Sequence, residues 1–498
     1  MDLNTAQTAR AAGVLVGLAV GDALGAGYEF GPALPSSTPV YMKGGGPFGF
    51  EPSEWTDDTS MALCIAEGFL EERSEPVDRY SSTTKRWIGW ARTAKDVGAQ
   101  TRSVLKHSER LGFEGAARAF HEQNGRSAGN GSLMRTAPIG LAHLSRGYDW
   151  DDLRDMGMRD ARRFSAFTHF EDDAGDAAAL WTAAITHAVL TGELDIRVGL
   201  EEKSHLRGSE ELWLERIEAA ENREPSEFRN NGWVVEAFQG AWSSIHTTRR
   251  QHQTGPEHLR AALEAAVRGG NDTDTVAAIA GSLLGAAYGI AAIPFEWMRD
   301  LHGWPGYDAR ELIGIGLALA TNRPVETQWP ALPAMEYSAW AGSDSRETFH
   351  HPDDAGVLLG AVWALAGREY DAVVSLCRVG SGQAQVERRD HAQYWLFDSP
   401  ENEHLDFIVR DAVNAIERFR AEGKTVLLHC VRMESRTPTI AAAYGAMVAG
   451  GTPLEALERI GRVLPRANPN PAFRRYLAEA QGSGHRPCSS RENTRDHG

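Results

Sequence analysis

Hydrophobic residues recur at helical spacing through most of the first two thirds of the chain. Stretches rich in alanine and leucine, separated by glycine-rich turns, predict helices at residues 59–72, 172–191 and 259–267. The alternation of apolar and polar residues that is typical of half-buried strands is scarce in this part of the chain. The pattern therefore predicts an all-α domain over residues 1–322.

The pattern changes after that domain. Residues 323–354 are rich in proline, tryptophan and polar side chains without clear periodicity, which indicates a linker. Short β-branched apolar runs then predict strands at residues 372–377, 393–397 and 425–428. Because residues 405–421 predict a helix among these strands, we expect a smaller α/β domain over residues 355–481. The polar tail at residues 482–498 is predicted to be disordered.

Two segments are apolar enough to suggest a signal peptide or a membrane helix. Residues 11–20 have little positive charge before them and are interrupted by glycines, unlike a secretory signal. Residues 276–295 carry no charge but are dominated by alanine and glycine, which insert weakly into membranes. We therefore predict two buried core helices and no membrane partner.

Length, charge and cysteine content limit the classes of function. A chain of 498 residues exceeds the size of one ordinary compact domain, which agrees with two domains. The formal net charge of -17 disfavours a general nucleic-acid-binding protein. Four cysteines without metal-type spacing disfavour a disulfide scaffold or a zinc site, and they favour a cytoplasmic location.

Three acidic clusters, at residues 21–22, 56–59 and 271–275, lie in turns beside predicted helices. Adjacent aspartates repel each other unless a cation lies between them. An oxygen-only ligand set that suits magnesium, calcium or manganese comes from Thr56, Asp57, Asp58, Asp272, Asp274 and Thr275. The oxygen count allows two ions. The alternative is that these aspartates are helix caps, as Asp58 or Asp274 alone would be.

Several motifs occur together in a fixed order. They are GLAVGDALGAGYEF at residues 17–30, WTDDTSM at 55–61, DVG at 96–98, GNGSLMRTAP at 129–138, TH at 168–169 and GGNDTDTVAAIAGSLLGAAYG at 269–289. In this order they resemble the ADP-ribosylglycohydrolase family over residues 1 to about 320. The resemblance implies an all-α fold with a central cleft and a two-magnesium site, with manganese as the alternative ion. It also implies hydrolysis of the glycosidic bond at the distal ribose of an ADP-ribosyl group.

The resemblance also implies roles for individual residues. The six oxygen donors named above fall on the family's metal ligands. The ADP-ribose site is matched by Gly98, Gly129, Asn130, Gly131, Ser132 and His169. Glu29 falls near the cleft and Asp96 near the scissile bond, so either carboxylate is a candidate to accept a proton from water. The alternatives are a satisfied core histidine at position 169 and an ordinary tight turn at residues 129–131.

A second motif, VLLHCVRMESRT at residues 426–437, is typical of a strand, a loop and a helix. Its spacing resembles the phosphate loop of dual-specificity, cysteine-dependent phosphatases. The resemblance implies a nucleophile, a phosphate clamp, a general acid and a hydroxyl that assists the leaving thiolate, at Cys430, Arg436, Asp398 and Thr437 respectively. Met433 stands where glycine is usual, and Glu434 adds negative charge beside an anion site. An active phosphatase, a degenerate module that binds a phosphorylated ligand, and an unrelated buried cysteine are the three alternatives.

Together these patterns predict a multidomain protein, with an all-α ADP-ribosylglycohydrolase-like domain followed by a smaller α/β phosphatase-like domain. The predicted activity is magnesium-dependent release of ADP-ribose from a modified protein or another conjugate. One rival interpretation is a phosphatase whose helical domain reads ADP-ribose, and another is a pure binding protein. Arginine, serine, a nucleic-acid end and a free ester are the alternative acceptors.

Overall fold

A computed structural model describes residues 3–201, 205–252, 255–339, 346–366 and 369–480. The chain forms two compact units. The first comprises Met1–Met335 and Arg378–Gln383, and the second comprises Glu336–Cys377 and Ala384–Gly498. The tail that was predicted to be disordered lies outside the described residues.

The first unit is helical, as the hydrophobic pattern predicts. Its helices are α1 Thr5–Ala26, α2 Asp57–Ser74, α3 Arg79–Trp90, α4 Ala99–Leu111, α5 Phe113–Asn124, α6 Ile139–Ala142, α7 Trp150–Ala166, α8 Asp172–Thr191, α9 Glu210–Glu221, α10 Val234–His252, α11 Pro256–Arg268, α12 Thr273–Tyr288, α13 Phe295–Met298 and α14 Ala309–Thr321. The three helices predicted above correspond to α2, α8 and α11. Two short strands, β1 His302–Gly303 and β2 Tyr307–Asp308, pair antiparallel.

Helices α1 and α12 cross in close backbone contact at the centre of this unit. The small residues of α1 recur every fourth position, at Gly13, Gly17, Gly21 and Gly25. A Cβ atom added to any of these four would overlap backbone atoms of α12 or of the residues that follow it. Glycine is therefore required along this face. The crossing places the first turn of α12 beside the last turns of α1.

The segment from Thr5 to Tyr28 is long and apolar enough to span a membrane by length and composition alone. However, 89% of its most hydrophobic 18-residue window is buried inside the fold. Residues 11–26 of α1 and the whole of α12 are buried. Both segments are core helices, as predicted, although the second ends at Tyr288 and does not continue to residue 295.

The second unit is a five-stranded sheet with helices. Its strands are β3 Thr348–His351, β4 Asp354–Ala361, β5 Ala372–Ser375, β6 His391–Gln393 and β7 Val426–Cys430. They lie in the order β3-β4-β7-β5-β6, and every neighbouring pair except the antiparallel β3-β4 pair is parallel. The helices are α15 Leu405–Ala421, α16 Arg436–Ala449, α17 Pro453–Val463 and α18 Pro471–Glu479.

The sequence located most of this sheet but misplaced two parts of it. Strand β3 lies inside the segment that was predicted to be a linker, because its four residues are too few and too polar to give a recognisable period. Strand β6 overlaps the predicted run at residues 393–397 only at Gln393. The Tyr394 amide still donates to the Ser375 carbonyl of β5, and Trp395 and Leu396 are buried beyond the strand. The predictions of β5, α15 and β7 are confirmed to within two residues.

Candidate active site

The carboxylate of Asp22 fixes the start of α2 against α1. Its Oδ1 accepts a hydrogen bond from the Thr56 amide at 2.8 Å, and its Oδ2 accepts from the Thr59 amide at 3.0 Å and the Thr59 hydroxyl at 2.7 Å. The expectation that Asp22 lies in a turn was wrong, because it is a fully buried residue within α1. Burial raises the pKa of Asp22 to about 6, although these hydrogen bonds oppose the rise.

Carboxylates from α1, α2 and α12 meet at this point. Asp22, Asp58 and Asp274 each offer an oxygen within 4.8 Å of the others. Glu29, Asp272 and Asp274 form a second group by the same criterion, so Asp274 belongs to both. The Thr56 hydroxyl lies 3.0 Å from Asp58 Oδ2 and 3.4 Å from Asp274 Oδ2, so it joins two members of the first group. Acidic residues about two hundred positions apart are thus brought together, as the motifs predict.

Three oxygen atoms of these clusters are buried and accept no hydrogen bond from any residue that the structure describes. They are Oδ1 of Asp58, Oδ1 of Asp274 and Oε2 of Glu29. A buried carboxylate oxygen without a partner is costly unless a cation compensates it. The donor set is entirely oxygen, which fits magnesium or another hard divalent cation.

The capping alternative does not account for Asp58 and Asp274. Each is the second residue of its helix, where a carboxylate gains from the helix dipole but is past the capping position. Each also directs an unpartnered oxygen into the cluster and not toward a free backbone donor. The dipole at the start of each helix therefore stabilises the negative charge of its own aspartate, while the two carboxylates face each other.

Burial raises the pKa of the clustered carboxyl groups, and the neighbouring carboxylates raise it further. The pKa lies well above the ordinary aspartate value at Asp57, Asp58 and Asp274. Burial, followed by the charge of Asp272, raises the pKa of Glu29 to about 9 and that of Asp96 to about 6. Without a cation, several of these groups would have to bind protons near neutral pH.

The remaining predicted ligands and the loop before α4 adjoin this cluster. The Gly98 amide hydrogen-bonds the carboxylate of Asp57, which links the start of α4 to the start of α2. Thr275 is buried in the first turn of α12 and hydrogen-bonds Asp272. Asp96 is half-buried in the loop before α4 and belongs to neither metal-type group.

Two asparagines hold the loop that carries Asp272. Asn130 donates from Nδ2 to Asp272 Oδ2 at 2.7 Å and to the Asn231 carbonyl at 2.9 Å. Asn231 Oδ1 accepts from the Asp272 amide at 3.0 Å, and its Nδ2 donates to the Gly270 carbonyl at 3.0 Å. The sequence prediction included Asn130 but missed Asn231. The polar NNGW turn before α10 was the only local signal for it.

The glycines of the GNGS turn lie against His169. A Cβ atom on Gly129 would lie 3.3 Å from His169 Nε2, and one on Gly131 would lie 3.4 Å from Cε1. The hydroxyl of Ser132 in the same turn is buried and without a partner among the described residues. The predicted ADP-ribose residues of this turn therefore form one wall with the imidazole. His169 is only half satisfied, since Nδ1 is bonded to Thr168 while no bond from Nε2 to a described residue is present.

The cysteine of the second motif ends β7 and is 2% exposed. The Met433 amide donates to Cys430 Sγ at 3.2 Å, so the loop folds over the sulfur. Met433 has a φ of 61°, the left-handed conformation that glycine adopts without strain. Glu434 is compensated by Arg432 at 3.2 Å and Arg466 at 3.6 Å.

The predicted acid and the predicted clamp of the second unit are both held by hydrogen bonds. Asp398 Oδ1 accepts from the Ser435 hydroxyl at 2.6 Å and from Asn470 Nδ2 at 2.9 Å. Arg436 donates through Nη1 to the carbonyls of Leu376 at 2.9 Å and Leu396 at 3.0 Å. The aspartate is therefore tied to the loop directly. The hydroxyl of Thr437 is buried and has no partner among the described residues.

Comparison with known proteins gives a clear match for the first unit. The family model described as ADP-ribosylglycohydrolase matches residues 3–328. ADP-ribosylarginine hydrolase Tri1 of Pseudomonas putida is 31% identical over 305 residues, which cover 59% of this chain and 74% of that protein. ADP-ribosyl-[dinitrogen reductase] glycohydrolase of Rhodospirillum rubrum is 29% identical over 315 residues, which cover 62% of this chain and 96% of that protein. Human DUSP28 aligns with 29% of this chain and 99% of its own at 20% identity, but its TM-score of 0.25 supports no conclusion.

Proposed function

The chain belongs to the ADP-ribosylglycohydrolase family and is a hydrolase that acts on glycosyl bonds, and on that premise we propose that it releases ADP-ribose from a modified protein side chain in a magnesium-dependent reaction. The observation that carries the metal dependence is the set of buried, unpartnered oxygens of Asp58, Asp274 and Glu29. If these oxygens had a purely structural role, we would expect neutral hydrogen-bond donors beside them. Divalent cations bound within the two acidic groups would satisfy these oxygens and would reduce the repulsion between the carboxylates.

The proposed ligands are the side chains that surround these oxygens. They are Thr56, Asp57, Asp58, Asp272, Asp274 and Thr275, together with Glu29, which belongs to the second acidic group. When bound, magnesium would orient the ribose and increase the acidity of a coordinated water. Asp22 is a support in this scheme, since both its oxygens already accept hydrogen bonds from the start of α2.

Asp96 is the carboxylate that we propose to accept the proton of the attacking water. It lies outside both metal-type groups, whereas Glu29 lies inside one and has a buried oxygen directed into it. A half-buried carboxylate with a pKa of about 6 retains capacity to take up a proton near neutral pH. Glu29 would then contact the cation, and its negative charge would help to keep other anions out of this part of the site.

The wall formed by Gly129, Gly131 and His169 is the proposed binding surface for the ADP-ribosyl diphosphate. The two glycines leave the backbone open to close approach, because no Cβ atom stands between it and the imidazole. Asn130 connects this wall to the metal-type cluster through its bond to Asp272. Ligand and cation would therefore be positioned by one hydrogen-bonded network.

Arginine is the acceptor that we propose to test first. Support comes from the printed activity of the Pseudomonas relative, an ADP-ribosylarginine hydrolase, and from its 31% identity to this chain. The Rhodospirillum relative acts on an ADP-ribosylated protein, dinitrogen reductase. A protein-linked substrate is thus favoured over a nucleic-acid end or a free ester.

The test is release of free ADP-ribose from arginine-linked, serine-linked and nucleic-acid-linked substrates, with magnesium and with chelator. We expect release only from the arginine linkage and only with magnesium. The double variant Asp57→Ala/Asp58→Ala should lose it. Asp172→Ala/Asp173→Ala is the matched control, because this pair also opens a helix but is compensated by arginines at 3.0 and 2.9 Å. Full activity in chelator or in the first double variant would refute the metal assignment.

For the second unit we propose a phosphate-ester site built on Cys430. The observation that favours it is the linkage of Asp398 to the cysteine loop through Ser435 and Asn470, which the sequence spacing alone could not guarantee. Both bonds use Oδ1, so Oδ2 is the oxygen that would carry a proton to the leaving alcohol. Cys430 would attack phosphorus, and Arg436 would hold the phosphate oxygens after release from its two carbonyl partners.

Met433, with its left-handed backbone, bears on whether the site hydrolyses phosphate esters or only binds them. Its side chain stands where phosphate-binding loops present bare backbone, so slow or absent turnover is compatible with retained affinity. Hydrolysis of para-nitrophenyl phosphate that disappears in Cys430→Ser would establish the phosphatase. Binding of inorganic phosphate without turnover would establish a module that reads phosphorylated ligands, and absence of both would refute the site.

A further inference from the structure

A buried hydrogen-bond chain leads from Arg135 to the imidazole of His169. Arg135 is fully buried, and its Nη2 donates to the Thr168 hydroxyl at 2.6 Å and to the Phe164 carbonyl at 3.2 Å. The same hydroxyl oxygen lies 2.7 Å from His169 Nδ1. The Thr168 carbonyl accepts from Gln100 Nε2 at 2.8 Å, which holds this residue in place. The chain thus joins a permanent cation to a residue of the proposed ADP-ribose wall.

The direction of the hydrogen bonds along this chain is determined by their donors. A guanidinium can only donate, so Thr168 Oγ1 must accept from Arg135. The hydroxyl has one hydrogen, and among the described residues His169 Nδ1 is the acceptor within reach. If Nδ1 carried the proton instead, the hydroxyl hydrogen would be buried without an acceptor. The arrangement that satisfies every group has the hydroxyl donating to Nδ1.

A neutral imidazole whose Nδ1 accepts a hydrogen bond carries its proton on Nε2. Burial, and then the charge of Arg135, keep the pKa of His169 well below its usual value, which agrees with a neutral ring. Nε2 is the ring atom that faces the Gly129 turn, 3.3 Å from the position of a Cβ atom there. A neutral N–H donor is therefore directed at the glycine wall.

We propose that Arg135 and Thr168 are positioning residues that lock His169 as an Nε2–H donor to an oxygen of the bound ADP-ribosyl group. This inference rests on the proposed function for its ligand. The lock matters because the other tautomer would direct a lone pair at an anionic or hydroxyl oxygen and repel it. Neither Arg135 nor Thr168 needs to touch the ligand.

The sequence had no means to reveal this role. Arg135 lies in the GNGSLMRTAP motif, in which only residues 129–132 were predicted to contact the ligand. In the fold its guanidinium lies 4.1 Å from the centre of the Trp87 ring and donates to the Thr168 hydroxyl. Its charge acts through one hydroxyl.

The test uses the full-length protein with 15N-labelled histidine. Long-range 1H–15N spectra report which ring nitrogen carries the proton, and His169→Gln assigns the His169 signals. We expect the Nε2–H tautomer in the free wild-type protein, a mixture in Thr168→Val, and recovery of the wild-type pattern in Thr168→Ser. Binding of ADP-ribose by calorimetry should weaken roughly tenfold or more in Thr168→Val, the factor for one hydrogen bond to a charged group, and return in Thr168→Ser.

The outcomes separate this inference from the proposed function. An Nδ1–H tautomer in the free wild-type protein would overturn the lock, and this spectrum is decisive even if Thr168→Val does not fold. An unchanged tautomer in a folded Thr168→Val would overturn the role of the hydroxyl. A wild-type protein with the expected tautomer that binds no ADP-ribose would overturn the proposed function and, with it, the assignment of the ligand.

Discussion

Replacing Asp58 by asparagine should stabilise the metal-free protein while it abolishes the response to magnesium. Asp58 is fully buried, and its Oδ1 has no partner among the described residues. Burial, followed by the charges of Asp22 and Asp57, raises its pKa well above the ordinary aspartate value. Asparagine keeps the shape and can still accept from the Thr56 hydroxyl, but it removes one of the repelling charges.

The magnitude follows from the cost of an uncompensated buried charge. Such a charge costs roughly 3–5 kcal/mol, and partial protonation relieves some of it. We therefore expect Asp58→Asn to gain about 2 kcal/mol in chelator, which corresponds to a rise in Tm of roughly 3 °C. Magnesium at a hundred times its Kd should stabilise the wild-type protein by about 2.7 kcal/mol and the variant by much less.

The assay is differential scanning calorimetry at neutral pH, in chelator and in a magnesium series. Asp160→Asn is the matched control, because Asp160 is equally buried but accepts from His143 at 2.9 Å and Tyr80 at 2.8 Å. Burial alone would raise the pKa of Asp160, but these bonds and Arg79 hold it below the ordinary value. That carboxylate is stabilising at every pH above its unfolded value, so Asp160→Asn should lose about 3 kcal/mol with or without magnesium.

A lower Tm for Asp58→Asn than for the wild-type protein in chelator would refute the reasoning. It would mean that the carboxylate of Asp58 is held by favourable contacts and is not waiting for a cation. An equal magnesium shift in the two proteins would place the cation elsewhere.

Three further changes test other parts of the structure. In chelator, unfolding by urea should show stability falling by roughly 2 kcal/mol between pH 4 and pH 7 from Asp22, because its folded pKa of about 6 exceeds the unfolded value of 3.8, and Asp22→Asn should reduce this slope. Gly21→Ala should lower the free energy of unfolding by about 3 kcal/mol and weaken magnesium binding in a titration, since the new methyl group would overlap the Ala277 carbonyl. Gly89→Ala, in a helix with open space around it, should instead raise the free energy of unfolding by up to about 1 kcal/mol. Met433→Gly should change the free energy of unfolding by no more than about 1 kcal/mol, because released backbone strain offsets the lost rigidity of the unfolded chain. The same variant should raise the rate of para-nitrophenyl phosphate hydrolysis.

The sequence predicted the elements that its periodicity marks clearly. Helices α2, α8 and α15 and the meeting of the two acidic motifs follow from local pattern and from family resemblance. The structure adds Asn231, whose contact with Asp272 joins residues 41 positions apart, and the polar turn that contains Asn231 does not indicate that partner. Strand β3 was missed because it is short, since four residues with a single apolar side chain, Phe349, contain too little information to show a period.

The glycine face of α1 shows why the site could be listed from the sequence but not assembled from it. In the sequence, the small residues of the two apolar segments are interpreted separately: those of the first segment as interruptions, and those of the second as a sign of close packing. In the fold they face each other, and the backbone contact at Gly21 and Gly25 is what brings Asp22 next to Asp274. The same contact that stabilises the helix pair therefore concentrates negative charge at its end. We therefore expect folding of α1 against α12 to be coupled to binding of the proposed cation, because the cation would relieve a repulsion that the tight crossing creates.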